Sequence, residues 1–231
     1  MSHPHVSDYD TISFDCYGTL VDWESSIVNT LQELLQSHDA NMNNDVVLEY
    51  FANWEPEEQS RGGSYRSVLH RVLERYGFRL GFKPRDDDFS VFEECIARAI
   101  PFEDTVDALA SLKRNFKLAV ITNTDNDLFA ITSASLKIDF DYVITAEDTG
   151  YYKPNRKMFE AAIAELGDTG RLLHVAQSVF HDIAPANVLG IDSVWIDRTE
   201  GKPGATKTSD ESPKWAYTNL RDFSQELLNE S

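Results

Sequence analysis

The sequence has little positive charge, and it contains neither lysine nor arginine before Arg61. Lysine and arginine together number 21 against 39 aspartates and glutamates, so the formal net charge is −18. A chain this acidic is repelled by a phosphate backbone, and we expect no nucleic-acid partner. An anionic ligand must therefore be held by a cation from Arg61 onward or by backbone N–H groups.

The sequence also lacks the features of secreted and membrane proteins. Its two cysteines, Cys16 and Cys95, are too few for a disulfide framework and favour a reducing compartment. It has no run of about 18 apolar residues, so we expect no transmembrane helix and no membrane partner. Residues 1–10 do not show the basic and then apolar stretch of a secretory signal. These absences predict a cytoplasmic protein.

Strand-like and helical patterns alternate over much of the chain. Its 231 residues, of which 42% are hydrophobic, are sufficient for a buried core. Apolar residues recur at helical spacing in 105–114, 157–166 and 183–189. This alternation predicts an α/β fold with a Rossmann-like parallel sheet and helices on both faces. The strand-like runs are Thr11–Phe14, Lys117–Thr122, Tyr142–Thr145, Leu172–Ala176, 193–197 and, more weakly, Trp215–Tyr217.

Residues 22–99 follow a different pattern, with almost no strand signal. Several amphipathic helical runs cover this stretch instead. Pro101 marks the return to the alternating pattern. We therefore expect a helical cap domain at residues 21–100, inserted into a core domain made of residues 1–20 and 101–231.

The end of the first strand-like run is the most informative segment. A β-branched and aromatic run ends in Asp15, and Gly18 and Thr19 follow closely. This is typical of a buried strand that carries a carboxylate to the carboxyl end of a sheet, where α/β folds bind ligands. Two residues after Asp15 stands Tyr17, an aromatic residue with no acid function at neutral pH.

Polar residues also follow the other predicted strands. Thr122 and Asn123 end the second strand, and Lys153 follows the third. Ser178 and Asp182 follow the fourth strand, although Asp182 is also a plausible N-cap of the next helix. Because the carboxyl ends of parallel strands meet on one rim, we expect these side chains to converge with the aspartate of the first strand.

At these positions the chain resembles the haloacid dehalogenase superfamily, over nearly its whole length. The nearest branch is the 2-haloacid dehalogenases, which carry Asp-x-Tyr-Gly-Thr-Leu and a helical cap after the first strand. Tyr152-Lys153-Pro154 and Ala146-Glu147-Asp148 are similar to that branch as well. The four superfamily motifs are matched by Asp15-Cys16-Tyr17-Gly18-Thr19, Thr122-Asn123, Lys153-Pro154 and the segment from Ser178 to Asp182.

The resemblance implies a hydrolytic reaction, and two positions indicate which kind of leaving group is released. In the phosphatase majority an acid two residues after the nucleophile protonates the leaving alkoxide, whereas this chain has Tyr17. A halide is the anion of a strong acid and leaves without a proton. Gln177 stands where phosphatases usually have an aspartate that binds Mg²⁺, and losing an anionic ligand weakens such a site. We expect halide displacement from a small 2-haloalkanoic acid to give a 2-hydroxy acid, with no metal and no cofactor.

The expected mechanism has two steps. Asp15 attacks the carbon that bears the halogen and forms an ester on the enzyme, and water then attacks the ester carbonyl. Lys153 is expected to keep Asp15 ionised, and Asp182 to act as the base toward water. The haloacid branch usually has an arginine in the early cap, for which Arg61 or Arg66 is the replacement here. The residues expected to bind or orient the anionic substrate are Tyr17, Thr19, Thr122, Asn123, Ser178 and Arg61 or Arg66.

Other functions remain open at this level. A phosphatase that tolerates Tyr17 would depend on Mg²⁺ held by the remaining carboxylates. A non-catalytic module with the same fold would bind a small acid or a protein and would not need Asp15. Many relatives look dimeric through the cap, so a homodimer is also considered.

Overall fold

A six-stranded sheet forms the centre of the computed structural model, which describes residues 3–167, 169–202 and 204–229. Outside the described residues lie six positions of the predicted core segments, namely 1, 2, 168, 203, 230 and 231. The strands of the described part are β1 (Thr11–Phe14), β2 (Val21–Asp22), β3 (Ile100–Pro101), β4 (Lys117–Thr122), β5 (Tyr142–Thr145), β6 (Leu172–Ala176), β7 (Asp192–Ile196) and β8 (Trp215–Tyr217).

The sheet order is β5-β4-β1-β6-β7-β8, and its neighbouring strands are parallel. β1 lies between β4 and β6. Beyond them, β5 completes the sheet on one side and β7 and β8 complete it on the other. The carboxyl ends of β1, β4 and β6 therefore border the place where the strand order reverses, which is where open α/β sheets bind ligands. The predicted strands are confirmed, with 193–197 shifted by one residue to Asp192–Ile196.

Burial on both faces explains the composition of the central strands. All four residues of β1 are buried, as are five of the six residues of β4. A strand covered by helices on both sides has no solvent face, so it reads as an apolar run and not as an alternation. Ile12 and Phe14 are completely buried, which fixes the register of β1 and the position of the residue that follows it.

Helices surround the sheet and build the segment between β2 and β3. The helical patterns 105–114, 157–166 and 183–189 correspond to α5, α8 and α9 below. The amphipathic runs expected within 22–99 correspond to α1, α3 and α4, whereas α2, α6, α7 and α10 are not among the predicted helices. No helix in the described part of the chain is long and apolar enough to cross a membrane. The helices are α1 (Trp23–Ser37), α2 (Asn44–Gln59), α3 (Tyr65–Leu80), α4 (Asp86–Ala97), α5 (Thr105–Leu112), α6 (Asn126–Leu136), α7 (Ala146–Thr149), α8 (Arg156–Leu166), α9 (Ala184–Leu189) and α10 (Leu220–Asn229).

Helices α1 to α4 form a helical insert, defined by residues 23–97. β2 and β3 pair antiparallel, so the chain leaves and re-enters the core at one place. Trp23 and Phe92 both pack edge-on against Phe51, with ring centroids 5.3 and 6.5 Å away, and the insert shares one hydrophobic cluster with the sheet. The helical character expected of 22–99 is present, and the division into two domains stays a prediction.

Candidate functional site

Asp15 follows β1 directly and points into the site as a buried carboxylate. Its backbone N–H donates to the Val175 carbonyl at 3.1 Å, which continues the pairing of β1 with β6. The Thr19 hydroxyl donates to Asp15 Oδ2 at 2.8 Å and accepts a hydrogen bond from Gln177 N–H, also at 2.8 Å. Thr19 therefore orients the Asp15 carboxylate through its Oδ2 atom.

The turn between Asp15 and Thr19 requires Gly18. Its φ of +91° lies in the region that favours glycine, and a Cβ there would stand 2.9 Å from Trp23 Nε1. A larger residue would displace either the turn or the indole, and both border the site.

Lys153 joins two carboxylates below the rim. Its side chain is 1% exposed, and its ammonium donates to Asp15 Oδ1 at 2.7 Å, Asp182 Oδ1 at 2.8 Å and the Ile121 carbonyl at 2.8 Å. An ammonium has three N–H donors, so none remains for a ligand. Asn123 Nδ2 donates to Lys153 O at 3.0 Å, and Lys153 N–H donates to Asn123 Oδ1 at 2.7 Å. Asn123 thus positions the lysine through its backbone.

The three charged groups shift one another's pKa values. Burial raises the pKa of Asp15, and Asp182 adds to this rise, while Lys153 opposes it. Burial acts upward on Asp182 too, but Lys153 and His174 bring the pKa of that carboxyl below its usual value. Burial lowers the pKa of Lys153, and the two carboxylates more than offset this, so the net shift is upward. Burial and Lys153 therefore act on the pKa of Asp15 in opposite directions, and the role expected of Lys153 in keeping Asp15 ionised stays a prediction.

Asp182 lies in a π-helical turn, Val179–Ile183, and does not cap α9. The N-cap of that turn is Ser178, whose Oγ accepts from His181 N–H at 2.9 Å. Oδ1 of Asp182 takes part in two hydrogen-bonding contacts, whereas its Oδ2 is buried with no hydrogen-bond partner among the described residues. Such an oxygen marks a place where a proton of water or ligand is expected.

His174 supports Asp182 from inside β6 and was not expected in the site. Its Nε2 is 2.9 Å from Asp182 Oδ1, and its Nδ1 is 2.8 Å from Ser13 Oγ. With the proton on Nε2, the ring donates to the carboxylate and accepts from Ser13. The available sequence signal was a polar residue within an apolar strand, which does not reveal its partner.

These groups surround a narrow pocket of about 30 Å³ between the sheet rim and the insert. This is space for about one or two water molecules. Thr19 and Thr122 lie behind its wall, and Thr122 Oγ1 is buried without a hydrogen-bond partner in the described part of the chain. The predicted residues that line the pocket are Asp15, Tyr17, Asn123, Lys153, Ser178 and Asp182.

Tyr17 forms one wall of the pocket. Its hydroxyl is 3.0 Å from Thr132 Oγ1 in α6. Burial raises the pKa of Tyr17, so the phenol stays uncharged. The position two residues after Asp15 therefore holds no carboxylic acid and no phenolate.

Several lining residues were not identified from the sequence. Trp23, Glu55 and Tyr65 come from the insert, and His181 and Thr206 from the core. Burial lowers the pKa of His181 to about 4, so its ring is neutral in the pocket. Glu55 belongs to α2, which the apolar spacing does not predict because its last turns carry Glu55-Pro56-Glu57-Glu58.

Arg61 and Arg66 do not reach the pocket. Arg61 is 65% exposed at its side chain and pairs with Glu58 Oε2 at 3.0 Å. Arg66 pairs with Glu93 at 3.0 Å and with Asp127 at 2.6 Å. Neither arginine lines the cavity, so the structure does not bring either one to the expected position beside the substrate.

Asp125 connects the core to the insert near the ion pairs of Arg66 with Glu93 and Asp127. It lies in the loop after β4, and its two carboxylate oxygens accept from Tyr65 N–H at 2.7 Å and Arg66 N–H at 3.0 Å. Both donors belong to the first turn of α3, where backbone N–H groups lack helical partners. The rim and the insert are thus hydrogen-bonded beside the pocket.

The carboxylates of the site are not grouped as a metal centre of three or more acidic, histidine or cysteine ligands among the described residues. Lys153 contacts Oδ1 of both Asp15 and Asp182, and Gln177 offers a neutral amide in place of a carboxylate. Metal independence stays a prediction.

Comparison with known proteins places this arrangement in a family. The profile described as "Hydrolase: haloacid dehalogenase-like hydrolase" matches residues 9–190. The chain is 28% identical over 217 residues to (S)-2-haloacid dehalogenase of Pseudomonas sp. (strain YL), covering 91% of this chain and 90% of that protein. It is 24% identical over 228 residues to pyrimidine 5'-nucleotidase YjjG of Escherichia coli (strain K12), covering 95% and 98%. A solved structure of L-2-haloacid dehalogenase from Xanthobacter autotrophicus with chloropropionic acid covalently bound has a TM-score of 0.74 at 19% identity, covering 96% and 100%.

The match to the family extends from β1 to α9 and includes the helical insert, so it rests on the whole arrangement. The class that this defines is a hydrolase whose fold is a Rossmann-like parallel sheet surrounded by helices. Within that class, the chain belongs to the haloacid dehalogenase-like hydrolase family. The fold class and the resemblance predicted from the sequence are both confirmed.

Proposed function

We propose that this protein displaces halide from a small 2-haloalkanoic acid through an ester on Asp15 and releases a 2-hydroxy acid. The observation that carries the proposal is the link from Asp15 through Lys153 to Asp182, whose second oxygen lacks a partner in the described residues. Similarity to an (S)-2-haloacid dehalogenase, and to a dehalogenase structure with covalently bound chloropropionic acid, supports this chemistry.

In the first step, a carboxylate oxygen of Asp15 attacks C2 of the acid. The C–O bond forms as the C–halogen bond breaks, and the halide leaves with the bonding electron pair. Thr19 and Lys153 hold the two oxygens of Asp15 at 2.8 and 2.7 Å and so fix the attacking carboxylate. The attacking form is ionised, so halide release falls as the pH drops through the raised pKa of Asp15.

In the second step, water attacks the carbonyl carbon of the ester. Asp182 Oδ2 takes one proton of this water and passes it to the departing alkoxide of the 2-hydroxy acid. The regenerated carboxyl of Asp15 loses the other proton to solvent. The lowered pKa of Asp182 keeps it ionised for this role, and Lys153 faces the negative charge that develops on the ester.

Tyr17 favours halide over alkoxide as the leaving group. An alkoxide is a poor leaving group without a general acid. The uncharged phenol of Tyr17, hydrogen-bonded to Thr132, is a much weaker acid than an aspartic acid. A halide needs no proton. The small volume of the pocket favours an acid with a short carbon chain.

A Mg²⁺-dependent phosphatase is the second candidate, because one full-length relative is a pyrimidine 5'-nucleotidase. It would require a rearranged site, since Lys153 contacts both carboxylates and has no donor left for a phosphate. A homodimer and a cytoplasmic location also stay predictions.

The deciding experiment measures halide and phosphate release by the same purified protein. With a chelator present, we expect halide from 2-chloropropionate, lost in Asp15→Asn and retained in Asp8→Asn, an exposed control. A single turnover in ¹⁸O-labelled water should place the label in Asp15. Phosphate release that appears only with Mg²⁺ would establish the second candidate, and turnover of neither substrate class would favour a non-catalytic binding module.

A further inference from the structure

Among the described residues that line the pocket, no cation is available for the carboxylate of a 2-haloacid. Lys153 directs its three N–H donors to Asp15, Asp182 and a backbone carbonyl. Arg61 and Arg66 are bound to carboxylates elsewhere. An anionic substrate therefore needs a neutral hydrogen-bond donor at the end of the pocket away from Asp15.

Glu55 lies on the insert side of this pocket and has unusual surroundings for a carboxylate. Its side chain is buried, and Oε1 accepts from Gln59 Nε2 at 2.9 Å and from Tyr65 OH at 3.0 Å. In the described part of the chain, no cation pairs with Glu55, and its Oε2 makes no hydrogen bond. Glu58, one turn later, is instead paired with three arginines.

These surroundings favour the protonated acid. A buried carboxylate without a countercharge is costly, and the cost grows when other carboxylates share the cavity. Because Oε1 already accepts two hydrogen bonds, the proton belongs on Oε2, where it becomes a donor toward the pocket.

We propose that Glu55, as a neutral carboxylic acid, donates a hydrogen bond from Oε2 to the carboxylate of the substrate. Glu55 thereby takes the role expected of Arg61 or Arg66, which is to bind the substrate carboxylate. It binds a monoanionic acid only while Glu55 itself is protonated. This inference rests on the proposed function for the identity of the substrate. A carboxylic acid that donates to a carboxylate forms a short, charge-assisted hydrogen bond, so the geometry needs no arginine.

The pKa of Glu55 agrees with this role. Burial raises it to about 7, with Asp15 acting in the same direction and Tyr65 and Lys153 opposing. The hydrogen bond is therefore present below about pH 7 and is lost above it, when ionised Glu55 repels the substrate.

The other groups around the pocket titrate differently. His181, with its pKa lowered to about 4, is neutral from about pH 6 to 9, and burial keeps both tyrosines uncharged there. Ionisation of Asp15 also makes the pocket more negative, so a variant must separate it from Glu55. The titratable groups facing the pocket are Tyr65 from the insert and Tyr17, Asp15, Lys153, Asp182 and His181 from the core.

The test uses propionate, which has the carboxylate of the substrate but no leaving group. Its affinity is measured by calorimetry at several pH values from about 6 to 8.5. For the wild type we expect the affinity to fall by up to about tenfold per pH unit above 7. Glu55→Gln keeps an N–H donor at every pH, so its affinity should vary less than about threefold. Glu49→Gln changes an exposed glutamate of the same helix and should follow the wild type.

A second variant tests the hydrogen bond from Glu55 to the carboxylate of the ligand by changing the pKa of Glu55. Tyr65→Phe removes a donor that stabilises ionised Glu55, so the loss of affinity should move to higher pH. An unchanged profile in Glu55→Gln would overturn the proposal, as would wild-type affinity that ignores pH. Loss of propionate binding by folded Glu55→Gln at every pH would also overturn it.

Failure of this inference is separable from failure of the proposed function. Halide release by the wild type together with pH-independent propionate binding would reject Glu55 as the carboxylate donor alone. Propionate binding that depends on Glu55, without any halide release, would reject the dehalogenase proposal and keep Glu55 as an acid-binding residue.

Discussion

The sheet rim and the helical insert both bury carboxylates, but they balance the charge differently. On the rim, Lys153 lies between Asp15 and Asp182 and contacts both. In the insert, Glu58 contacts three arginines, whereas Glu55 has no cationic partner among the described residues. The two carboxylates of the rim share one cation, whereas the insert gives three arginines to one glutamate and only neutral donors to the other.

Lys153→Met breaks the balance on the rim and should have the largest effect. It leaves Asp15 and Asp182 buried without a countercharge, which costs roughly 3–5 kcal/mol. We expect the free energy of unfolding in urea at pH 7 to fall by this order, with loss of halide release. Lys83→Met, at an exposed site in the insert, should change stability by less than about 0.5 kcal/mol. Full stability of Lys153→Met would mean that the two carboxylates are not both ionised.

Glu55→Gln sharpens the comparison through the pH dependence of stability. The pKa of Glu55 is about 7 in the folded protein, against an ordinary value of 4.5. Between these two pH values the unfolded chain loses this proton and the folded protein keeps it, so the free energy of unfolding falls as the pH rises. At about 1.4 kcal/mol per pKa unit, the full cost above pH 7 is about 3 kcal/mol. We expect urea unfolding to show Glu55→Gln more stable than the wild type by about 2–3 kcal/mol at pH 8, and by less than about 1 kcal/mol at pH 5. An equal gain at both values would contradict the assignment.

Glu58→Gln should act in the opposite direction to Glu55→Gln, although both residues are buried in α2. It removes the partner of Arg71 and Arg75, whose side chains are 26% and 31% exposed, so solvent screens part of the loss. We expect a destabilisation of about 1–2 kcal/mol that is similar at pH 5 and pH 8, with propionate affinity unchanged. A change in affinity as large as that of Glu55→Gln would mean that charge balance does not distinguish the two glutamates.

Arg66→Ala should have the smallest effect, because the Arg66 side chain is partly exposed and pairs with carboxylates that do not line the pocket. Loss of its pairs with Glu93 and Asp127 is expected to cost less than about 1 kcal/mol. The KM for 2-chloropropionate should stay within about twofold of the wild type, and Arg61→Ala should behave in the same way. A tenfold rise in KM in either variant would return the carboxylate-binding role to an arginine.

The rim could be predicted from sequence because its signals are local. Asp15, Lys153 and Asp182 each follow an apolar run that forms a strand, and parallel strands bring their carboxyl ends together. The structure does bring these three side chains into contact. Their protonation could not be predicted, because the pKa of Asp15 depends on how completely the surrounding helices exclude water.

The contribution of the insert could not be predicted in the same way. Glu55 and Glu58 share one turn of α2, and their spacing gives no indication of which one meets the arginines. That choice depends on how α3 packs beside α2, which is a tertiary property. Asp182 shows the same limit, because it lies inside a π-helical turn whose N-cap is Ser178, and the sequence gives no sign of that turn.

Asp125 ties the two regions together in a way that bears on substrate entry. Any movement of the insert away from the rim that admits a haloacid would break both hydrogen bonds from α3 to Asp125. A helix cap is worth about 1 kcal/mol, so these hydrogen bonds would oppose such a movement only weakly. Asp125 stands two residues after Asn123, which holds Lys153. The contact that opposes such a movement and the contact that positions Lys153 therefore lie in one short loop.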